Sequence, residues 1–496
     1  MMRHAPIVLL AAMLLASCGR GDNDEQVTVS VIGRETRLRD PASALPRQAD
    51  AALLGAVAQG LVGIDAGGQV QPGLAIRWAI SDDGLYYTFR LDHELADADK
   101  VASQLRRLLR RYSDRALGIG LDGVREIVAV TPEVIEIRLA APRPELMSLL
   151  ASPAFALLID GKGTGPLLID GKVGRLTRLR PKGVEGPDED GKAEAAARRR
   201  IHLRGERVAL AVSRFANGEA TLVTGGGYDD FVYTRLANIP PRNVQVDPAV
   251  GLFGFRVARS SAPLMAVEMR QALAMALDRD AIGDALGVPG WRPVQSILPP
   301  GLTDVAEPAR PFWAQAFANV RGSDQRALAG RVATARRIVG IWRLQHGVDG
   351  AVRLTLAMPE GPGSAILFAA IQRQWRWIGV EAKRVGPRDP AELRLIDEIG
   401  PADQADWFLA HFLCDSGRPC SEEADQAFRA ARNATEPVLR ARMIADTERR
   451  MTEMAPFIPI AQPVRWSLAA PDLPGFRLNA RGVHPLAPLI GNQSNR

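Results

Sequence analysis

Little in this sequence belongs to the usual kits of catalysis or nucleic-acid recognition. It has six histidines, three cysteines and 5% aromatic residues in 496 positions. No histidine sits in a His-Glu-x-x-His pattern and no serine stands in a Gly-x-Ser-x-Gly elbow, which sets aside the common zinc-protease and α/β-hydrolase constellations. His411 and Cys414 stand three residues apart, and we read them as neighbours, not as a catalytic pair. No catalytic residue is therefore expected, and the chain is not expected to be an enzyme. The charge balance is thin as well: 62 Lys and Arg against 56 Asp and Glu leave +6, without an interleaved basic and aromatic motif, so nucleic acid is not an expected partner. No segment reaches 18 uninterrupted apolar residues, which argues against a membrane-spanning helix. No cofactor and no metal site are expected.

What is present begins at the N-terminus. Arg3 and His4 precede an apolar run from Ile7 to Ala16, too short to span a bilayer, so residues 1–17 read as a signal peptide. Leu15-Ala16-Ser17-Cys18 resembles the bacterial lipobox, which implies lipidation at Cys18, a flexible tether over 18–26 and attachment to the membrane through a lipid anchor. The competing reading is an ordinary signal with a coincidental cysteine. Two further cysteines, Cys414 and Cys420, remain. In an oxidising envelope compartment they can close a small disulfide loop; free thiols are the second reading, and a metal site, with only His411 nearby, the third.

At this length two or three lobes are expected. Val27 to Gly33 alternates as a first strand, and 34–50 is a polar connector. An apolar helix-like run, Ala51 to Ala58, leads into the stretch around which the chain is organised, Gln59 to Leu91. There the turn Asp65-Ala66-Gly67-Gly68 is followed by Pro72-Gly73. Trp78 and Ile80, the tight turn Ser81 to Gly84, and the alternating Tyr87, Phe89 and Leu91 then predict a hairpin. Val101, Leu105, Leu108 and Leu109 predict a helix whose arginines, Arg106, Arg107, Arg110 and Arg111, form a solvated face. Gly123 to Leu139 reads as two strands about Thr131-Pro132. Residues 172–207 read as a charged, irregular surface loop joining two strands. Asp278-Arg279-Asp280 reads as a polar helix end, and Asp406 to Leu409 as a buried strand.

The order of residues carries more than the pattern. Gly60-Leu61-Val62, Asp65, Gly68, Pro72, Leu74-Ala75, Trp78, Ser81, Asp83-Gly84, Tyr87-Thr88-Phe89 and Leu91 form a gapless match. It resembles the opening of the substrate-binding proteins of oligopeptide, dipeptide and nickel ABC importers, solute-binding family 5. Further signatures follow in the family's order: Gly163-Thr164-Gly165-Pro166, the helix Met269 to Arg279, Ser296 to Gly301, the helix ending at Gly379, and Ala455 to Ile460. The chain departs from the family between Leu91 and Asp97, where a segment is missing, and in the loop 411–420.

The resemblance implies an α/β protein of the periplasmic binding protein type II kind, two hinged lobes with a smaller inserted one. The expected division is lobe I from 27–50, 162–248 and 465–496, the small lobe from 51–161, and lobe II from 249–464. It further implies a monomeric, lipid-anchored protein on the periplasmic face of the envelope. Such a protein would bind a peptide or small solute between its lobes and deliver it to ABC permease and ATPase subunits. Asp415 falls where the family holds the ligand's amino terminus. Arg418 would meet a ligand carboxylate, and Trp407 and His411 would line the cleft, although Trp407 reads first as core. The departures leave room for a scaffold retained for sensing or envelope assembly, and an envelope peptidase is the more distant alternative.

Overall fold

The computed structural model describes residues 26–112, 121–182, 199–305, 311, 313, 324–414 and 418–491. The signal segment 1–17, Cys18 and Asp415 lie outside the described residues.

Three sheets organise the chain. The first has seven strands in the order Leu167–Val173, Leu176–Pro181, Arg200–Glu206, Gln26–Ile32, Leu222–Gly227, Arg465–Ala469, Val244–Val246. The strand Gln26–Ile32 lies at its centre and pairs in parallel with Arg200–Glu206 and Leu222–Gly227, and the outer pairings are antiparallel. Val29, Leu203 and Leu222 are fully buried there, as the central strand of a covered sheet requires. We refer to this sheet and its helices as lobe I.

The second sheet is antiparallel and four-stranded: Ala75–Ile80, Tyr86–Leu91, Val134–Leu139, Val124–Thr131. The hairpin read from the sequence is here. Tyr87, Phe89 and Leu91 point into the core and meet the buried face of the helix Ala98–Tyr112, formed by Val101, Leu105 and Leu108. Each such side chain contributes about 1.5–3 kcal/mol by leaving water, so this small lobe has a core of its own. The arginines of that helix are not a purely solvated face. Arg106 donates to the Ile127 carbonyl at 2.9 and 3.1 Å, and Arg107 reaches Asp40 at 2.8 Å.

The third sheet, in lobe II, runs Val380–Val385, Val352–Ala357, Leu393–Ile399, Gly251–Val257, Phe457–Ala461. Its faces are covered by the helices Val267–Met275 and Pro362–Arg376, whose Leu273 and Trp375 are fully buried.

Three local expectations change. Asp406 to Leu409 is not a strand but part of the helix Ala405–Ala410; the strand ends earlier, at Ile399. A run of three apolar residues behind an aspartate does not distinguish the two, and the Asp304 carboxylate, which accepts from the Ala405 amide at 3.0 Å, starts a helix here. Residues 172–207 are not all loop, because Leu176–Pro181 and Arg200–Glu206 are strands with Thr177, Leu179, Ile201 and Leu203 facing inward. Asp278 does not end a helix but caps the next one, Arg279–Leu286, accepting from the Ala281 amide at 3.0 Å.

Lobe I and lobe II are joined where the strand Val244–Val246 leads to Gly251–Val257 and where Phe457–Ala461 leads to Arg465–Ala469. The two crossings touch: the Gly251 amide donates to the Gln462 side chain at 3.1 Å, and the Asp247 amide to the Arg465 carbonyl at 2.9 Å. The small lobe leaves lobe I after the helix Gln48–Val57 and returns through Gly163 to Pro166. The Gly165 amide donates to the Val57 carbonyl at 2.8 Å, and a Cβ at Gly165 would overlap that backbone, so glycine is required for the crossing.

Candidate ligand-binding site

The parallel strands of lobe I end together. Ligands of open α/β sheets settle in the crevice outside the carboxyl ends of such strands. Here a cavity of about 440 Å³ opens at the end of Gln26–Ile32 and at the start of the helix Gln48–Val57, lined by Ile32, Gly33 and residues of the connector up to Asp50. That volume is in the ordinary range for a small-molecule pocket.

The connector is held firmly in place. The Gly33 amide donates to the Glu206 carbonyl at 2.8 Å. Gly205, in the neighbouring parallel strand, lies so close under the Arg34 carbonyl that a Cβ there would collide with it. Thr36 is buried with its hydroxyl 3.2 Å from that of Thr177. The backbone amide of Arg37 donates to the buried carboxylate of Asp50 at 2.8 Å. The backbone is thereby fixed, while the side chains of Arg34, Arg37, Arg39 and Arg47 line the cavity and stay exposed. The acids nearby are engaged. Glu35 pairs with Lys172 at 2.6 Å, and hydrogen bonding from that lysine and its charge hold the Glu35 carboxyl below its usual range.

The residues singled out in lobe II sit differently. Trp407 is buried in a cluster with Leu252, Phe408 and Phe428, so its position is that of a core residue. The His411 ring packs edge-on against it at 4.4 Å; Nδ1 lies 2.7 Å from the Trp407 carbonyl and Nε2 3.3 Å from Glu398. The hydrogen bond from His411 lowers the Glu398 carboxyl below its ordinary value. Cys414 and Cys420 form a disulfide with Cα atoms 5.1 Å apart, and the Cys414 amide donates to Asp425 at 2.9 Å. Arg418 is half-buried within that loop. Trp407, His411 and the disulfide loop thus come together, with the first two ring systems turned into lobe II. Among the described residues no group of three His, Cys, Asp or Glu side chains is placed to hold a metal ion.

Comparison with known proteins adds the family context. The periplasmic murein peptide-binding protein MppA of Escherichia coli is 21% identical over 96% of this chain and 97% of its own. The di/tripeptide-binding protein 1 of Pseudomonas aeruginosa is 22% identical over 84% and 85%. The solved murein tripeptide-binding protein MppA superposes with a TM-score of 0.73 at 18% identity, covering 92% of this chain and 97% of that one. The fold is that of the periplasmic peptide-binding proteins. Haemophilus influenzae OppA in complex with RPPGFSPFR gives the same TM-score at 16% identity over 92% and 97%. NikA from Brucella suis in complex with Fe(III)-EDTA gives 0.69 at 19% identity over 90% and 96%. No family model matches the sequence. The resemblance carried by the motifs and the lobed α/β fold class expected from it are borne out.

Within this fold, a second polar centre joins the small lobe to lobe II. Asp406, 1% exposed, accepts from Arg432 Nε at 2.9 Å and from Arg440 Nη2 at 2.7 Å. The other face of the Arg432 guanidinium makes a two-pronged contact with Asp122 of the small lobe, at 2.6 and 2.8 Å. Arg143 approaches the same Asp122 at 3.5 Å. Beside them Glu145 is 2% exposed, and neither carboxylate oxygen has a hydrogen-bond partner. Burial, aided by the Asp406 charge, pushes its carboxyl up to about 7. Sequence reasoning missed this centre, whose members are far apart in the chain. It also missed the arginine-lined cavity, for which the available signal was four arginines within fourteen positions directly after the first strand.

Proposed function

We propose that this protein is the peptide-binding component of an ABC importer, a periplasmic receptor that holds a peptide between lobe I and lobe II and presents it to a permease. The observation that carries the reading is the cavity at the carboxyl ends of the lobe I strands, beside a pair of short, touching crossings to lobe II. Crossings of that kind let two rigid lobes close about a ligand while each sheet stays intact. Contacts between the lobes already exist near that joint. The Tyr228 hydroxyl lies 2.7 Å from Ser364 Oγ, the Ser364 amide donates to Asp229 at 2.7 Å, and Arg465 pairs with Asp397 at 2.8 Å. The named relatives bind murein peptides and di- or tripeptides, which supports the same ligand class here. Attachment through Cys18 and a monomeric state complete the proposal. The chemistry needed is binding alone: a dry cleft, a few fixed polar groups and a hinge.

Asp415 and Arg418 remain proposed ligand contacts from lobe II, facing the amino and carboxyl groups of a peptide. Trp407 and His411 serve by supporting the loop that carries them, since their rings are packed among core residues. The test is a thermal-shift and calorimetric screen of the mature protein against di- to pentapeptides. Binding to the native state alone raises stability by about 2.7 kcal/mol at a hundredfold excess over Kd. Absence of any shift across such a set would overturn the reading.

A further inference from the structure

We infer that the cavity in lobe I selects anionic peptides, those carrying at least two carboxylates, and that Arg34, Arg37, Arg39 and Arg47 are the groups that select them. This rests on the peptide-binding reading above and narrows its ligand class.

Positive charge is left over at this cavity. Four arginines are among the residues that line the cavity, and among the described residues none of their side chains makes a hydrogen bond or an ion pair within 4 Å. The acids of the same segment are each committed elsewhere. Glu35 is paired with Lys172 at 2.6 Å. Asp40 is paired with Arg107 at 2.8 Å and also accepts from the Ala42 amide. Asp50 is buried and accepts from a backbone amide. Four like charges around one cavity repel one another, and a guanidinium offers five donors in a planar fork that fits a carboxylate by two parallel bonds. A neutral or cationic peptide would leave that repulsion in place. A peptide with acidic side chains in addition to its terminal carboxylate relieves it.

The backbone geometry supports selection over accident. The connector is pinned by Thr36, by the Arg37 amide and by the close approach over Gly205, so the bases of the four side chains are held while their tips are free to adjust. That is the arrangement expected of a recognition surface on a rigid support. The size of the cavity suits a small peptide and not a folded partner.

The experiment is calorimetry of the mature protein with triglutamate, trialanine and trilysine at low and at physiological salt, with succinate and inorganic phosphate as further titrants. Triglutamate is expected to bind at least about tenfold more tightly than trialanine at low salt, with the ratio shrinking as salt screens the charges. In the Arg34→Gln/Arg39→Gln double variant that ratio falls to about twofold or less. These positions are exposed, so the variant's melting temperature should match that of the parent within a degree or two, which separates lost recognition from lost folding. Trialanine binding as tightly as triglutamate would overturn the anionic assignment and leave peptide binding standing. So would a preference that survives the double substitution. Succinate or phosphate binding as tightly as triglutamate would overturn the peptide part of the assignment. Failure of every peptide to bind would remove both this inference and the function on which it rests.

Discussion

Arginine does two opposite things in this molecule. In the centre between the small lobe and lobe II, Arg432 and Arg440 are buried and paired, Arg432 with Asp406 and Asp122 and Arg440 with Asp406. Arg270 is a second instance: at 1% exposure it gives its hydrogens to the carbonyls of Leu264 and Met454, each at 2.6 Å. Around the lobe I cavity, Arg34, Arg37, Arg39 and Arg47 are exposed, and among the described residues their side chains make no hydrogen bond or ion pair within 4 Å. The contrast teaches that the role of an arginine is decided by what its neighbours have left to offer. Where carboxylates and carbonyls converge on it, the cost of burying its charge is offset and the residue holds parts of the fold together. Where the local acids are spent on Lys172, Arg107 and backbone amides, the guanidinium stays available to a ligand.

The largest expected effect would come from breaking the occupied side. Asp406→Ala leaves two buried guanidinium groups facing each other without their shared partner, and it should cost about 3–5 kcal/mol in denaturant unfolding. A loss below about 1 kcal/mol would show that Arg432 and Arg440 find other partners and that the centre is not a structural hub.

Next comes pH. Glu145, pushed up to about 7, is joined by Glu448, which burial also pushes up to about 7, and by Asp304 and Asp230, each raised to about 6 chiefly by burial. A raised carboxyl pKa means that the native state binds more protons than the unfolded state, here between about 3.8 and 6 for the aspartates and about 4.5 and 7 for the glutamates, so stability falls as pH rises through that window and is flat above it. Glu145→Gln should remove one share of this slope, about 2–3 kcal/mol at most, and raise stability at neutral pH. An unchanged slope in that variant would show that Glu145 is already ionised in the folded protein.

The third effect is the disulfide. Cys414→Ser opens a loop closed across six positions and should cost about 2 kcal/mol by the chain-entropy account. Mass measurement before and after reduction and alkylation would show directly whether the bond forms in the purified protein.

The smallest effect belongs to the unoccupied side. Arg34→Gln and Arg39→Gln, taken singly, should change unfolding free energy by no more than about 0.5 kcal/mol, because neither side chain has a partner to lose. A loss above about 1 kcal/mol would erase the distinction between the two sets of arginines.

Much of the fold could be read before the structure was seen, and the reason is periodicity. The alternation of Tyr87, Phe89 and Leu91 gives the hairpin, and the spacing of Val101, Leu105 and Leu108 gives the helix behind it, because both faces are buried against one another. The motifs at 163–166 and 269–279 place the lobes in order. The errors fall where periodicity is silent. Asp406 to Leu409 is too short a run to choose between helix and strand, and the choice is made by Asp304, Arg432 and Arg440, distant in the chain. Of the proposed ligand contacts, Trp407 was legible as core and proved to be packed there. The arginine-lined cavity was not legible. A polar connector looks solvated whatever it does, and only the folded chain shows that Glu35, Asp40 and Asp50 have been taken by other partners.

The crossing at Gly165 has a consequence of another kind. Because the backbone leaves lobe I at Val57 and comes back within one hydrogen bond of the same residue, everything between the two points is topologically a loop on an otherwise continuous lobe. Its ends are already together, so lengthening, shortening or exchanging that insert changes the closure entropy of the parent lobe very little. The small lobe is therefore the part of this chain most open to replacement over evolutionary time. A splice joining Val57 to Gly165 through a short turn is the natural place to ask what lobe I and lobe II can do alone.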